Sequence, residues 1–408
     1  MGYWSKLPSG VLEEIAERLS HRDLAHFGAV CKFWRLLYFD NLSRLPKGIP
    51  LSLCYPRPIG APILLLSCKP DSDSRRYACS GDESVDQRIY LPEAVNKWIC
   101  GSNWGWLVMS SFRGKEVSLL NPLTRCHIRL PSLEGSFCAI TKAIISLDPT
   151  SHRNECIVMA IIMNCLWFCK IGGNKWTKTK GCIREIQDVV FYQEKFYAVT
   201  KDGSLVSYCG KDPNAEAKIL ISQMQRRPYC RRYLVASAGG LLQVLRVYIR
   251  RYKNNNHRGP HQSYDNEPPI ECTKTKINQT FRFEVMEFVE SNSSVTGKHI
   301  GLPDCEGTSE INNHWSELES LHDQSLFLGY NTSLSEPASL CPSRMGNRIY
   351  FTDDHHDDHV SNFLFTNSQG QACHDSGVFN FEDKSLKSYH PNDPTDLMPS
   401  VWVTPNPW

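Results

Sequence analysis

The sequence has no excess of either charge, no long apolar run and no closely paired cysteines, and each absence removes a class of protein. Its 45 basic and 43 acidic residues leave a formal charge of +2, so the broad positive field that accompanies nucleic-acid binding is missing. The greasiest stretch, Cys156 to Cys169, is broken by Asn164 and falls short of the roughly 20 residues that cross a bilayer as a helix. Met1-Gly2-Tyr3-Trp4-Ser5-Lys6 lacks a basic region followed by an apolar one, so no secretory signal is read there. Lys6 also stands where a myristoylation signal usually has Ser or Thr. The 17 cysteines are scattered from Cys31 to Cys373 with no CxxC pair, unlike a disulfide scaffold. Cys156, Cys165 and Cys169 lie in apolar runs, where a reduced thiol packs as a small hydrophobe. A soluble chain of a reducing compartment, cytoplasm or nucleus, is expected.

Signatures of catalysis are missing too. There is no GxSxG elbow, GxGxxG turn, Walker-type loop or HExxH pair, each of which would place a nucleophile, a phosphate cradle or a metal. No catalytic residue and no cofactor is assigned, and the chain is expected not to be an enzyme. Asp353-Asp354-His355-His356-Asp357-Asp358-His359 carries metal-ligating types, but consecutive side chains seldom converge on one centre. It reads as a solvated loop after a strand, and no metal is assigned. Arg226-Arg227, Arg231-Arg232 and Arg250-Arg251-Tyr252-Lys253 make a local basic excess beside Tyr229, Tyr233 and Tyr248. No DNA- or RNA-binding motif accompanies it, so strand ends and loop edges are expected rather than a nucleic-acid surface.

What remains is a globular composition, 41% apolar and 11% aromatic over 408 residues, long enough for two or three domains. Residues 7 to 40 read as short helices. From Gly10 to Leu19, Val11, Leu12, Ile15 and Leu19 share a helical stripe, with Glu13, Glu14 and Glu17 early and Arg18 late, as the helix dipole favours. Ser20 with Asp23 begins a second helix in the manner of a capping box, carrying Leu24, Phe27 and Val30. A third follows a junction near Gly28, with Val30, Trp34 and Leu37 along one side. So short a unit cannot bury its apolar surface alone, and a partner is implied, either the rest of the chain or another protein.

The string Leu7-Pro8, Val11-Leu12, Ile15, Arg18-Leu19, Arg22-Asp23-Leu24, Val30-Cys31-Lys32 and Trp34-Arg35 resembles the F-box, through which substrate receptors of SCF-type cullin-RING ubiquitin ligases dock on their adaptor. The resemblance implies that Leu7, Pro8, Val11, Leu12, Ile15, Leu19, Leu24, Val30, Cys31 and Trp34 pack the F-box or contact the adaptor. It does not divide them between those two tasks.

From about residue 50 the helical period gives way to short runs rich in Val, Ile, Phe, Tyr and Trp, bounded by Gly, Asn, Asp and Pro, as antiparallel strands are. Strand groups recur at roughly 40 to 50 residues, the blade length of β-propellers. A propeller of six or seven blades would absorb the length, and two β-sandwiches are the structural alternative. Cys100-Gly101-Ser102 through Gly105-Trp106-Leu107, Leu120-Asn121-Pro122-Leu123-Thr124, Leu130-Pro131, Ser325 to Gly329, Ile349 to Asp354 and Gly377-Val378-Phe379 resemble plant F-box proteins with a KIB-type β-propeller. Family copies often have a small residue or His where Trp104 stands and Gly where Lys384 stands.

The expected architecture is therefore α+β multidomain: a small all-α F-box over residues 1–45, then an all-β KIB-type propeller over 46–408, with an exposed loop at 253–276. The resemblance implies a plant source and a non-catalytic substrate receptor: the F-box docks the SCF adaptor, and through it the cullin-RING core, while the propeller binds a target protein for ubiquitination. An F-box and propeller scaffold acting outside a ligase, or a propeller binding a small molecule in its channel, are the alternatives.

Overall fold

The computed structural model describes residues 7–18, 34, 62–65, 74–79, 86–111, 114–122, 124–133, 139–181, 185–213, 216–222, 227–254, 274–290, 313–338, 346–354, 375–389 and 400–404. One α-helix among them, α1 (Ser9–Arg18), covers the first helix expected from the sequence. The Pro8 carbonyl accepts from the Val11 and Leu12 amides at 3.1 and 3.2 Å, which satisfies two of the donors a helix start leaves unpaired. The second and third expected helices lie outside the described residues, apart from Trp34.

The rest is antiparallel sheet almost throughout. The first sheet holds β1 (Ile63–Leu65), β2 (Ser74–Cys79) and β3 (Asp86–Tyr90). The second holds β4 (Lys97–Asn103), β5 (Trp106–Ser111), β6 (Val117–Leu120) and β7 (His127–Leu130). The third is β8 (Ile140–Ile145), β9 (Ile157–Ile162), β10 (Cys165–Lys170) and β11 (Thr177–Lys178). The fourth is β12 (Ile186–Tyr192), β13 (Lys195–Thr200), β14 (Leu205–Cys209) and β15 (Lys218–Ile221). The fifth comprises β16 (Cys230–Ser237), β17 (Gly240–Asn254), β18 (Lys274–Val289) and β19 (His314–Glu317). The sixth comprises β20 (Gln324–Leu328), β21 (Ser333–Pro337), β22 (Arg348–Phe351), β23 (Ser376–Asn380) and β24 (Leu386–Tyr389). It contains the one parallel pairing among the described strands, β20 with β22.

Five sheets are each built from one continuous stretch of chain. The first is not: β25 (Val401–Val403) pairs with β1, Leu65 opposite Val401 and Ile63 opposite Val403. The two ends of the strand-rich region are thus hydrogen-bonded into one sheet, which leaves no open seam in the ring.

Each junction between successive sheets has its own apolar filling. Leu65 and Val401 pack with Leu107 and Met109; Trp106 and Val108 with Ala143 and Val158; Ile144 and Met159 with Phe196 and Val206. Val199 and Leu205 meet Leu234 and Leu241; Val244 and Phe283 meet Leu326 and Phe351; Phe327 and Tyr350 meet Trp402. Because a sheet inside such a ring is covered on both faces, its strands read as unbroken apolar runs. All six residues of β9 are buried. This arrangement is a β-propeller, and the two-sandwich alternative does not describe it.

The hairpins follow from strand twist. Trp104-Gly105, Met163-Asn164, Gln193-Glu194 and Ala238-Gly239 each link two strands with both φ angles positive, the two-residue geometry whose twist matches the flanking strands. Lys384 also has a positive φ, +58.

The expected loop at 253–276 is shorter than the sequence suggested. β17 continues to Asn254 and β18 begins at Lys274, with Lys253 opposite Thr275 and Asn254 opposite Lys274. Arg250 to Asn254 lack any alternation of apolar and polar residues, which is the signal that marks a half-buried strand. Residues 255–273 lie outside the described residues.

Candidate binding face on the ring axis

The inner strands β4, β8, β12 and β16 run side by side around the axis, and small side chains let them approach. A Cβ on Gly101 would sit 1.8 Å from the Ala143 carbonyl oxygen, so Cys100-Gly101-Ser102 needs glycine at its centre. Asn103 then stitches β4 to β8: its Nδ2 donates to the Ile145 carbonyl at 2.6 Å and its Oδ1 accepts from the Ile145 amide at 3.0 Å.

Polar side chains are buried where these strands meet the axis. Asp188 of β12 accepts from the Val189 amide at 2.7 Å, the Leu234 amide at 2.8 Å and Ser333 Oγ at 3.3 Å. It also pairs with Lys142 of β8, and both side chains are buried. Lys142 Nζ donates to Ser333 Oγ at 3.3 Å. Burial pulls the Lys142 ammonium below its ordinary pKa, and the neighbouring Asp188 carboxylate opposes that shift.

The segment leading into β21 reaches sheets that are not its neighbours in the ring. Asn331 Nδ2 donates to the Ile99 carbonyl of β4, and the Tyr330 ring meets Trp98 edge-on at 5.8 Å. Beside this crossing lies a cavity of about 200 Å³, lined among others by Ser102, Trp104, Lys142, Phe191, Asn331 and Thr332.

A second buried network joins the fifth and sixth sheets. Arg246, fully buried, donates through Nη1 to the Thr352 carbonyl and through Nη2 to the Asp375 carbonyl, both at 2.7 Å, and through Nε to Thr280 Oγ1 at 2.7 Å. It pairs with Asp354 and Asp375, each at 3.1 Å. Asp354 is 3.2 Å from Arg231 and accepts from the hydroxyls of Tyr233 and Tyr248. Burial works against the charge on Arg246, yet Asp354 and the flanking phenols hold its pKa well above the ordinary value. Burial raises both phenols as well. This network accounts for two features of the sequence. Asp354 serves ion pairs within the fold, and His355 to His359 lie outside the described residues. Arg231 belongs to this network through Asp354; outside it, Arg232 is buried with its Nη1 donating to Gln243 Oε1 at 3.1 Å, and Arg227 is paired with Glu284 at 2.6 Å.

The residues assigned to the F-box divide between described and undescribed. On α1, Leu12 is fully buried whereas Val11 and Ile15 are 46% and 38% exposed. Leu7 and Trp34 are half-buried and Pro8 is exposed. Leu19, Leu24, Val30 and Cys31 lie outside the described residues. Sequence reasoning missed Lys142, Asp188, Asn331 and Arg246 altogether. The signal available for them was a charged or amide residue inside an apolar strand or at a strand entry, which one sequence does not separate from ordinary alternation.

Of the cysteines in apolar runs, Cys156 and Cys169 are buried and Cys165 is half-buried, all three as free thiols. No helix among the described residues is long and apolar enough to cross a membrane.

Comparison with known proteins adds two matches. The KIB1-4 beta-propeller family model matches residues 77–380, and the F-box-like model matches residues 4–44. An F-box protein of Arabidopsis thaliana is 25% identical over 221 residues, half of this chain and half of that one. A putative F-box protein of the same plant is 23% identical over 424 residues, covering 98% of this chain and 97% of its relative. The Arabidopsis thaliana F-box/kelch-repeat protein KIB1 is 26% identical over 243 residues, 57% of this chain and 59% of that one.

Proposed function

The chain belongs to the KIB1-4 beta-propeller family and carries an F-box-like segment ahead of the propeller, and on that premise we propose that it is the target-recognition subunit of an SCF-type cullin-RING ubiquitin ligase. In this reading residues 1–45 dock the adaptor, residues 46–408 form a six-bladed propeller whose loops hold a target protein, and ubiquitin transfer belongs to the cullin-RING core. The chain works where the core works, in the cytoplasm or nucleus.

The observation that carries the reading is the outward face of α1. Val11 and Ile15 stand one helical turn apart and are exposed, while Leu12 beside them is buried. Neighbouring exposed β-branched residues on a short helix suit a protein interface better than solvent. We assign Val11 and Ile15 to adaptor contact and Leu12 to F-box packing. Leu7, Pro8, Leu19, Leu24, Val30, Cys31 and Trp34 share those two tasks. A buried apolar anchor at such an interface contributes about 2 kcal/mol or more.

The chain's contribution to chemistry is proximity. Holding a target beside a charged conjugating enzyme makes the encounter effectively intramolecular, with no catalytic group needed here. The test is reconstitution. Proteins captured by the full chain are incubated with adaptor, cullin-RING core, conjugating enzyme and ubiquitin, with and without Val11→Asp and Ile15→Asp. Ubiquitin chains on a captured protein that disappear with the double variant support the reading. Capture with no ubiquitin transfer by either form contradicts it.

A further inference from the structure

β17 and β18 are 15 and 16 residues long, whereas every other described strand has 8 or fewer. Their pairing outruns the fifth sheet. β16 covers β17 only as far as Val247, opposite Cys230, with a last bond from the Tyr248 amide to the Tyr229 carbonyl at 2.9 Å. β19 covers β18 only over Met286 to Val289. Over Ile249 to Asn254 and Lys274 to Gln279 the two strands pair with each other and with no other described strand. This ribbon reaches about 20 Å past the end of β16, at roughly 3.4 Å per residue.

The ribbon is basic and one of its edges is open. It holds Arg250, Arg251, Lys253, Lys274 and Lys276 and no acid, in a chain whose net charge is only +2. The nearest acid along either strand, Glu284, is taken by Arg227 and Arg282 at 2.6 and 2.8 Å. Successive residues of an antiparallel strand present their backbone groups to opposite sides. Since the Tyr248 amide points to the β16 side, those of Arg250, Tyr252 and Asn254 point there too, where no described strand follows. The edge of β18 differs, because the Thr280 amide there donates to Asp375 Oδ2 at 2.7 Å. Cations alone would guard an open edge against pairing. The base of this ribbon is also apolar: Tyr229, Ile249 and Phe281 are 48%, 41% and 52% exposed, and exposed apolar residues gathered in one place mark an interaction surface.

An open edge, a run of cations and an apolar base suit an extended peptide that adds a strand through its backbone, matches the cations with Asp or Glu and sets an apolar residue at the base. A phosphate backbone would meet the charge but not the row of donors and acceptors at strand spacing. We infer that the β17 edge from Ile249 to Asn254 captures an extended acidic segment of a partner protein as an added strand. The capture belongs to the propeller and does not rest on the ligase reading; it is measured without adaptor, so the failure of one is distinguishable from the failure of the other.

The test uses the full chain and the fluorescence anisotropy of labelled probes: a peptide of alternating Glu and Val, the same peptide with Lys for Glu, one of equal charge with Pro for Val, and single-stranded RNA. The Glu and Val peptide is expected to bind, and the other three to bind at least roughly tenfold more weakly, as loss of strand hydrogen bonds or of charge complementarity gives. Tyr252→Pro removes one edge amide at a position where an edge strand tolerates proline. It is expected to weaken the Glu and Val peptide by about tenfold, the size of one such hydrogen bond, while Tyr252→Ala leaves the affinity unchanged and both variants melt as the wild type does. Arg250→Glu with Arg251→Glu and Lys253→Glu is expected to abolish binding. RNA bound as tightly as the Glu and Val peptide, or the Pro-containing peptide bound equally well, would show attraction of charge without strand addition and would overturn the inference. So would full affinity in Tyr252→Pro, or no binding of the Glu and Val peptide by the wild type.

Discussion

The Lys142 ammonium and the Asp188 carboxylate meet in the interior, Lys142 on the third sheet and Asp188 on the fourth. Through Ser333 they are tied to the sixth sheet and through the Leu234 amide to the fifth. One ion pair thus touches four sheets of the ring.

Its removal is expected to be asymmetric. Asp188→Ala strands a buried ammonium and two backbone amides, and breaking a buried pair this way costs about 3–5 kcal/mol. Lys142→Met leaves the carboxylate its two amide donors and Ser333, so the loss is smaller. Urea unfolding of the two variants measures the difference; equal losses would contradict the hub role of Asp188.

Arg246 is expected to be irreplaceable by lysine. Its fork reaches the Thr352 and Asp375 carbonyls and Thr280 together, a geometry that a single ammonium cannot reproduce. Both Arg246→Met and Arg246→Lys should lower stability, the first by about 3–5 kcal/mol because Asp354 and Asp375 lose a shared counter-charge. Thermal melting of both variants is the check, and a wild-type melt for Arg246→Lys would count against the network as described.

Much of the architecture was legible because sheets covered on both faces write themselves as apolar runs: Ile157 to Ile162 and Lys195 to Thr200 are strands where the runs stand. The closure was not legible. Leu65 and Val401 are more than three hundred residues apart, and nothing local in either strand names the other. The axis was also hidden. Lys142 stands beside Thr141 as two adjacent polar residues in Ile140–Ile145, a pattern that names no strand face, and only the neighbouring β12 shows that it faces Asp188. Turn chemistry is silent at Trp104 and Lys384, which hold left-handed backbone that glycine or asparagine usually signals. The first helix was readable from its stripe, but the same stripe does not say that Leu12 turns inward while Val11 and Ile15 turn out.

The closing sheet gives a third expectation. Trp402 donates from Nε1 to the Leu328 carbonyl at 3.1 Å and packs edge-on against Phe327 at 5.1 Å. Trp402→Ala should cost about 3–5 kcal/mol. Deleting residues 400–408 should remove hydrogen-exchange protection from Ile63 to Leu65 while the third and fourth sheets keep theirs. Unchanged protection at Ile63 to Leu65 would show that β25 does not close the ring.

Alkaline pH is expected to weaken the fold through Cys156. Burial pushes this thiol from 9.0 up to about 11, so the folded state holds the proton more tightly than the unfolded state. The stability it contributes is complete below 9.0 and is lost as pH rises through about 11. Denaturation midpoints measured across that window should fall, and fall less steeply in Cys156→Ala. Identical slopes would remove Cys156 from the alkaline transition.

The most direct test of the receptor reading is co-expression of a plant SCF adaptor with the full chain, with the full chain carrying Leu7→Ala and Pro8→Ala, and with residues 46–408 alone, followed by affinity purification and size-exclusion chromatography. The expected result is a stoichiometric complex with the full chain, none with the double variant or the truncation, and equal melting of the propeller in all three. An adaptor complex formed by residues 46–408, or no complex with the full chain, would contradict the assignment of the N-terminal helices as the docking element.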